Sequence, residues 1–207
     1  TKLKRLNHLA PLHNPYNLMG ILVSKKFFPK IDQIAVFDTE MYSNLPEYSS
    51  AYPLPQYILK RFRYKRYGFH GISHQYAIEV GSEKIKKPLN KLKIISCHLG
   101  GGSSVTAIDK GKVIDTSMGY TPMEGVMMMT RPGNIDPGIV LEMKKAFPLK
   151  RLNYILNHQS GVKGISGLHD MRDVLKSKSK QAKLAFNMFV YSVQKQIGAY
   201  FAVLGGC

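Results

Sequence analysis

Residues 96–117, SCHLGGGSSVTAIDKGKVIDTS, decide the fold, because three glycines and two serines separate two runs that are typical of β-strands. The run before the glycines, 92–95, is mostly apolar, and the run after them, 105–108, is rich in β-branched residues. The DKG triplet at 109–111 then turns the chain into a third run at 113–115. This order predicts strand, glycine turn, strand, tight turn and strand.

The glycine turn is richer in glycine than a hairpin requires. A short hairpin needs one glycine or an Asn-Gly pair, so three glycines and two hydroxyls indicate that something comes close to the backbone. Successive backbone N–H groups in such a turn form a concave anion site, to which serine hydroxyls and His98 add donors. The pattern alone leaves two interpretations open, a phosphate site and a purely structural turn.

Length and composition restrict the class of protein. The chain has 207 residues, 44% of them hydrophobic, which is enough for a core in one large domain or in parts of two. No stretch approaches the roughly 20 apolar residues of a membrane span, and the basic N-terminal residues precede no apolar run of a secretory signal. Cys97 and Cys207 make no disulfide framework, which predicts a reducing, cytoplasmic compartment.

The net charge of +17, from 30 Lys+Arg against 13 Asp+Glu, has three interpretations. These are a nucleic-acid surface, a site for small polyanions and a solvated basic face. The basic residues form short clusters at 60–66, 84–93 and 176–180, and only the first is interleaved with aromatic residues. This scatter disfavours nucleic acid as a partner.

The rest of the chain alternates predicted strands and helices, which indicates the α/β class. Residues 31–39 are expected to form a buried strand that ends on Asp38, and residues 42–65 a long connection. Residues 70–85 predict a helix with Ser73 as its N-cap. Residues 181–204 carry apolar side chains at steps of three or four, which predicts a long helix with one buried face.

Shorter elements lie between these. Residues 138–147 and 151–161 each predict a short helix, whereas 118–138, rich in Met, Gly and Pro, cannot form one regular element. Residues 162–174 are expected to form a glycine loop that leads into the start of a helix.

Three motifs carry charged or polar side chains that are candidates for chemistry. His70 and His74 stand four apart, as in half of a zinc site on a helix; the alternatives for His70 are a hydrogen-bonded core residue and a donor to a charged substrate. Arg131, between Thr, Pro and Gly, suits phosphate or carboxylate, or is an ordinary surface arginine. Asp38 stands at a predicted strand end, where α/β proteins bind ligands.

Taken in order, seven segments resemble the acetate kinase family, which includes acetate and propionate kinases and belongs to the sugar-kinase, Hsp70 and actin superfamily. They are LAPLHNP (9–15), AVFDT (35–39), RYGFHGISH (66–74), HLGGGSSVTAIDKGKVIDTSMGYTPMEGVMM (98–128), TRPGNIDP (130–137), SGVKGISGLHDMRD (160–173) and AKLAFNMFVYSVQKQIGAYFAVLGG (182–206). The resemblance implies an actin-like, ribonuclease H-like ATPase fold. Residues 1–41 would be the C-terminal part of a first domain, and 42–207 the first part of a second, nucleotide-binding domain.

The resemblance also implies an activity. Using ATP and Mg²⁺, the complete protein would transfer the γ-phosphoryl group to a small carboxylate, acetate or propionate, and release acyl phosphate and ADP. It would be a cytoplasmic homodimer formed through the second domain, with no membrane or nucleic-acid partner. The alternative is a catalytically incomplete remnant that binds nucleotide or dimerises without turnover.

Site roles carry over from the family by position. The catalytic residues would be Asp38, which orients the carboxylate and the metal, His70, which stabilises the transition state, and Arg131, which contacts the transferred phosphoryl group. The ATP-binding residues would be His98, Leu99, Gly100, Gly101, Gly102, Asp170, Met171 and Arg172. The substrate pocket would include Leu12, His13, Phe69 and Pro122. No direct metal ligand is assigned, and Asp38 is a candidate for the second coordination sphere.

Three positions depart from the family pattern. The family hairpin usually reads HLGNG, and Gly101 replaces its asparagine, which removes one amide donor. Met129 replaces a small residue before Thr130, and Asn134 replaces an aspartate. These changes are expected to fall close to the chemistry.

Overall fold

The computed structural model describes residues 2–5, 7 and 14–207; the predicted pocket residues Leu12 and His13 lie outside them. The helices are α1 (Lys2–Arg5), α2 (Asn14–Phe27), α3 (Glu47–Ser50), α4 (Gln56–Phe62), α5 (Gly71–Lys84), α6 (Pro137–Ala146), α7 (Leu149–His158), α8 (Gly161–Ser166), α9 (Met171–Lys176) and α10 (Lys180–Val203). Single 3₁₀ turns lie at Glu40–Tyr42 and Leu89–Lys91. The strands are β1 (Lys93–Leu99), β2 (Ser103–Asp109) and β3 (Lys112–Thr116).

The three strands form one antiparallel sheet in the order β1-β2-β3, as the sequence predicts. The glycine turn joins β1 to β2 in a register that sets His98 opposite Ser104. Lys110 and Gly111 make the tight turn into β3 with positive φ angles of 50° and 81°. Two successive left-handed residues are the signature of the turn whose twist matches a two-residue hairpin.

Helices cover both faces of the sheet. One face, the α10 face, packs Val105 and Ala107 of β2 against Val193 and Tyr200 of α10. The opposite face, the α5 face, packs Ile108 with Ile78 of α5 and other apolar residues at the end away from the glycine turn. Because side chains alternate between faces along a strand, the remaining positions of the α5 face are polar near the glycine turn. They are Ser96, His98, Ser104 and Thr106.

A third apolar cluster anchors the C-terminal half of the chain. It joins Met127, Val162 and Val174 to Ala182 and Ala185 on α10. The cluster explains why α10 is long and continuous, since its N-terminal turns pack on α8 and α9 while its later turns pack on the sheet. The predicted helix over 181–204 and the two short helices after residue 137 are thereby confirmed.

Four local predictions need correction. Residues 31–37 form no strand, and Ile34 is 88% exposed, because no strand in the described part of the chain lies beside them to accept their hydrogen bonds. The N-cap of α5 is His70 rather than Ser73. The expected long connection, 42–65, contains α3 and α4, and the expected glycine loop, 162–174, contains most of α8.

Candidate active site

The start of α5 holds Asp38 against His70. The backbone N–H of His70 donates to Oδ2 of Asp38 at 2.6 Å, and the N–H of Gly71 donates to the Asp38 carbonyl at 2.9 Å. A Cβ on Gly71 would stand 2.3 Å from that carbonyl oxygen, so a side chain there would push Asp38 away. His70 adopts left-handed backbone geometry, with φ of 61°. Such a conformation is uncommon outside glycine and persists where the surroundings fix it.

The glycine turn approaches two cationic or polar side chains closely. A Cβ built on Gly102 would lie 2.8 Å from Nη2 of Arg131 and 3.3 Å from Nε2 of His70. The turn is closed by the N–H of Gly100, which donates to the Gly102 carbonyl at 3.1 Å. At Gly101, in contrast, a Cβ would meet nothing within 4 Å. The glycine at 102 therefore keeps open a space that faces both a guanidinium and an imidazole.

Arg131 is held in place by its own loop. Its Nη1 donates to the carbonyl oxygen of Pro122 at 2.5 Å, and the N–H of Met128 donates to the Arg131 carbonyl at 3.1 Å. Gly161 packs beneath the loop, where a Cβ would stand 2.6 Å from the Arg131 carbonyl oxygen. Burial lowers the pKa of the Arg131 guanidinium, which nevertheless stays charged, as arginines in proteins do.

The loop of Arg131 is also tied to the glycine turn. The N–H of Met129 donates to the Gly101 carbonyl at 3.2 Å. The side chain of Met129 packs on the same apolar cluster as Met171 of α9. Asn134, the other departure from the family pattern, accepts a hydrogen bond from the Gly125 N–H at 2.8 Å, so it braces the preceding loop.

Histidine and serine side chains fill the α5 face beside the glycine turn. Nδ1 of His74 lies 2.8 Å from Oγ of Ser96, and its Nε2 lies 2.8 Å from Oγ of Ser104. The ring of His70 stacks on that of His98, with centroids 4.0 Å apart. Burial, followed by the neighbouring His70 and His98, lowers the pKa of His74 to about 4. His74 is thus the hydrogen-bonded core histidine of this motif, and His70 is the one beside the glycine turn.

A second polar network supports the loop that precedes Arg131. Nη2 of Arg66 donates to Oε1 of Glu124 at 2.7 Å, and its Nη1 donates to the Thr116 carbonyl at 3.1 Å. The hydroxyl of Tyr52 donates to the other oxygen of Glu124. Burial and then Glu124 raise the pKa of Tyr52. This network fixes the chain between β3 and Pro122 from beneath.

The structure brings together the three predicted catalytic residues and the glycine turn, whereas the polar residues of α9 pair with each other. Asp170 caps α9 by accepting from the Arg172 N–H at 2.8 Å, and its carboxylate pairs with the guanidinium of Arg172 at 2.6 Å. That pair lowers the pKa of Asp170 to about 2. Phe69 adjoins His70, and its carbonyl accepts from the Tyr42 hydroxyl at 2.9 Å. Leu99 is 53% exposed at the start of the glycine turn.

Two features escape sequence reasoning. The first is the buried polar pair Ser96 and Ser104. Their alternation with apolar residues along two paired strands would have indicated that both face the same side of the sheet. A cavity of about 670 Å³ between α8, α10 and the loop before Pro132 is the other, and none of the predicted site residues lines it. Among the described residues, no group of three or more His, Cys, Asp or Glu side chains has the arrangement of a metal site.

Comparisons with known proteins give consistent results. All residues, 1–207, match the model of the Acetokinase family. The acetate kinase of Carboxydothermus hydrogenoformans is 50% identical over 204 residues, which cover 96% of this chain and 51% of that protein. That of Dictyoglomus turgidum is 49% identical over 209 residues, which cover 98% of this chain and 52% of that protein. The chain therefore spans about half the length of the curated relatives it matches.

Solved structures of similar proteins show the same architecture. The acetate kinase of Porphyromonas gingivalis superposes with a TM-score of 0.91 at 40% identity, over 99% of this chain and 53% of that one. A propionate kinase from Francisella tularensis gives a TM-score of 0.92 at 38% identity, over 98% of this chain and 53% of that one. These likenesses confirm the predicted α/β, actin-like ATPase fold.

Proposed function

Because this chain belongs to the acetokinase family, we propose that the protein transfers the γ-phosphoryl group of ATP to a short-chain carboxylate. The products are an acyl phosphate, acetyl or propionyl phosphate, and ADP, and the reaction is reversible. Since the curated relatives are about twice as long as the chain, we assign the activity to the complete protein rather than to these 207 residues alone.

One observation carries the proposal: Arg131 and His70 converge on the open space above Gly102. Phosphoryl transfer spreads negative charge over the equatorial oxygens of the phosphoryl group, so catalysis consists mainly of positioning and electrostatic stabilisation. A guanidinium and an imidazole that face one space provide such stabilisation from two directions, and backbone amides of the glycine turn would add a third. The glycine cradle fits the phosphates of a nucleotide, which would fill the space that a side chain would otherwise occupy.

The chemical step needs little from a general base. An oxygen of the substrate carboxylate attacks the γ-phosphorus, the bond from phosphorus to the bridging oxygen breaks, and ADP leaves with the electron pair. The attacking carboxylate is already ionised at pH 7, so no proton has to be removed. Asp38 would therefore serve to orient the reactants, and the His70 N–H that donates to its Oδ2 fixes the position of the carboxylate.

The remaining site residues bind and align the two substrates. The turn His98–Gly102 would hold the ATP phosphates, with Asp170, Met171 and Arg172 at the adenosine and Leu12, His13, Phe69 and Pro122 around the alkyl end. Mg²⁺ bound with the nucleotide neutralises charge on the phosphate oxygens. Asp38 would belong to the second coordination sphere of that ion, since hard cations prefer oxygen ligands.

An assay for acyl phosphate tests the proposal. The complete protein is incubated with ATP, Mg²⁺ and acetate or propionate, and acyl phosphate is trapped with hydroxylamine and measured as hydroxamate. We expect Arg131→Ala to lower the rate about 100- to 1000-fold, the usual loss for one donor to a developing charge. Arg151→Ala on α7, beside Tyr154 and outside the site, is the matched control, with an unchanged rate.

The outcomes separate the proposal from its alternative. A wild-type rate in Arg131→Ala would overturn the catalytic assignment. If ATP raises the melting temperature of the complete protein without forming hydroxamate, the protein is a remnant that binds nucleotide without turnover.

The proposed partners and location follow from the same family. We place the protein in the cytoplasm, as a homodimer that forms through residues 42–207. Sedimentation velocity of the complete protein measures whether it is a dimer. Within the described residues, no helix has the length and apolar character needed to cross a bilayer. Binding to DNA that weakens steeply with salt would instead point to the basic clusters as a nucleic-acid surface.

A further inference from the structure

Four side chains form a continuous hydrogen-bonded chain from the protein interior to the candidate site. Oγ of Ser96 lies 2.8 Å from Nδ1 of His74, whose Nε2 lies 2.8 Å from Oγ of Ser104. The same Ser104 oxygen lies 2.9 Å from Nδ1 of His70. His74 is 1% exposed and Ser104 is 0% exposed, so these polar atoms depend on one another rather than on bulk water.

The number of protons available restricts the direction in which these hydrogen bonds are donated. His74 is neutral above about pH 4, and a neutral imidazole carries one N–H. With that proton on Nδ1, the buried hydroxyl of Ser96 would need another acceptor, and among the described residues its Oγ has no partner besides His74. With the proton on Nε2, Ser96 donates to His74, His74 donates to Ser104, and Ser104 donates to Nδ1 of His70. Only this second direction gives every buried proton an acceptor.

We propose that Ser104 and His74 are positioning residues that hold neutral His70 in the tautomer with its proton on Nε2. Since Ser104 donates to Nδ1, that nitrogen has no proton, and the single N–H of the ring lies on the opposite side. Nε2 and Cε1 both lie 3.3 Å from the Cβ position built on Gly102, so this edge of the ring faces the glycine turn. The N–H on Nε2 therefore lies on the side of the ring that faces Gly102 and Arg131.

Other contacts fix the plane of the His70 ring, while the contact of Nδ1 with Ser104 sets which edge faces the glycine turn. The backbone N–H of His70 is bonded to Asp38, and its ring lies 4.0 Å from that of His98, at an interplanar angle of 22°. Nδ1 of His98 is in turn 2.9 Å from Oγ of Ser73. With the ring fixed, the tautomer alone decides whether a donor or a lone pair faces an anion. The benefit to phosphoryl transfer rests on the proposed function, but the tautomer itself does not.

Nitrogen NMR of the complete protein, labelled with ¹⁵N-histidine, tests the tautomer directly. The spectrum distinguishes protonated from bare ring nitrogens, and a spectrum of His70→Gln assigns the His70 signals. We expect Nε2 of His70 to be protonated in the wild type and both tautomers to be populated in Ser104→Ala. Loss of the single His70 tautomer in Ser104→Ala should lower kcat about 10- to 100-fold, while the KM for ATP stays within about twofold.

The control removes a buried hydroxyl that takes no part in the hydrogen bonds from Ser96 to His70. Thr116→Val does so in the same sheet, since Thr116 is 0% exposed and its Oγ1 lies 3.1 Å from that of Thr106. Thr116→Val should leave the His70 tautomer unchanged. A bare Nε2 in wild-type His70, or an unchanged tautomer in Ser104→Ala, would overturn the proposal.

A second pair of variants tests the direction of the chain. The amide N–H of His74→Gln can still donate to Ser104, so we expect it to preserve the His70 tautomer, whereas His74→Leu should lose it. If His74→Leu does not fold, the wild-type and Ser104→Ala spectra still decide between the two directions. A protein with the expected tautomer that forms no acyl phosphate would overturn the proposed function and leave the tautomer assignment standing.

Discussion

The two faces of the three-stranded sheet bury different kinds of side chain, although the same strands supply both. The α10 face buries an apolar cluster that contains Val105, Ala107, Val193, Tyr200 and Leu204, and only Ser103 at the glycine turn is a buried polar residue of β2 on this face. The α5 face is apolar only at the end away from the glycine turn. At the other end, its buried residues are hydrogen-bonded histidine and serine side chains.

This difference separates stability from chemistry within one small sheet. Burial of apolar surface on the α10 face stabilises the fold, but this stabilisation is non-directional and involves no charged group. Hydrogen bonds on the α5 face contribute little net stability but fix the positions of polar atoms. We therefore expect substitutions at the polar end of the α5 face to change rate or pH dependence, and substitutions in the apolar cluster of the α10 face to change stability alone.

The largest effect is expected at the glycine turn, which ends the α5 face. In Gly102→Val, the new side chain occupies the space beside Arg131 and His70, and it should lower kcat/KM about 1000-fold or more because two charge-stabilising groups are displaced. Stability should change little, since the nearest atom belongs to a side chain rather than to the backbone, and the backbone of Gly102 is not left-handed.

The matched control is Gly81→Ala on α5, where a Cβ would meet nothing within 4 Å. Steady-state kinetics of both variants measure kcat/KM, and urea unfolding measures their stability. A Gly102→Val protein with near wild-type kcat/KM would show that no phosphate rests on this turn.

The next effect is a pH dependence of stability that arises on the α5 face. The pKa of His74 falls from 6.5 to about 4 on folding, chiefly through burial of its ring. The unfolded chain therefore takes up this proton at higher pH than the folded one, and stability that is present above pH 6.5 is lost as the pH falls towards 4. The loss is on the order of 3 kcal/mol.

Urea unfolding at several pH values measures this loss. His74→Gln, which does not titrate, should show a flatter profile between pH 6.5 and 4 than the wild type. Parallel profiles for the two proteins would show that His74 takes up no proton on unfolding in this range.

A smaller loss is expected on the α10 face. Val105 is 0% exposed within the apolar cluster, so Val105→Ala should lower the free energy of unfolding by about 2 kcal/mol, in line with other deletions of buried methyl groups. The activity per folded molecule and the pH profile should match those of the wild type. A changed KM for ATP in this variant would mean that the two faces are coupled through the strand.

The same contrast explains how much of the molecule could be predicted from its sequence. The glycine turn and its strands were predictable because residues close in sequence supply both the turn geometry and the partner strand. Arg131 and His70 could be named from their motifs, and their convergence was expected from the family resemblance, because no spacing in the sequence shows how distant loops pair. The direction of His74 into the sheet was hidden, since spacing by four fits a metal site and a core residue equally well.

Residues 31–39 show the opposite case, in which a good strand pattern failed. Alternation and apolar character favour a strand only where another strand and a covering layer receive it. Neither exists for this segment among the described residues, and Ile34 and Val36 are 88% and 71% exposed. An apolar pattern thus predicts which side chains a segment would bury as a strand. Whether the strand forms depends on a neighbouring strand and a covering layer.

The smallest effect should therefore come from this exposed segment. Ile34→Val should change the free energy of unfolding by less than about 0.5 kcal/mol, whereas Ile108→Val, the same change at a 0% exposed position of the α5 face, should cost about 1 kcal/mol. Urea unfolding of both variants of the 207-residue chain gives the comparison. Repeating it on the complete protein sharpens the result, because a cost at Ile34 that rises to match that at Ile108 would mean that further residues of the protein cover the segment.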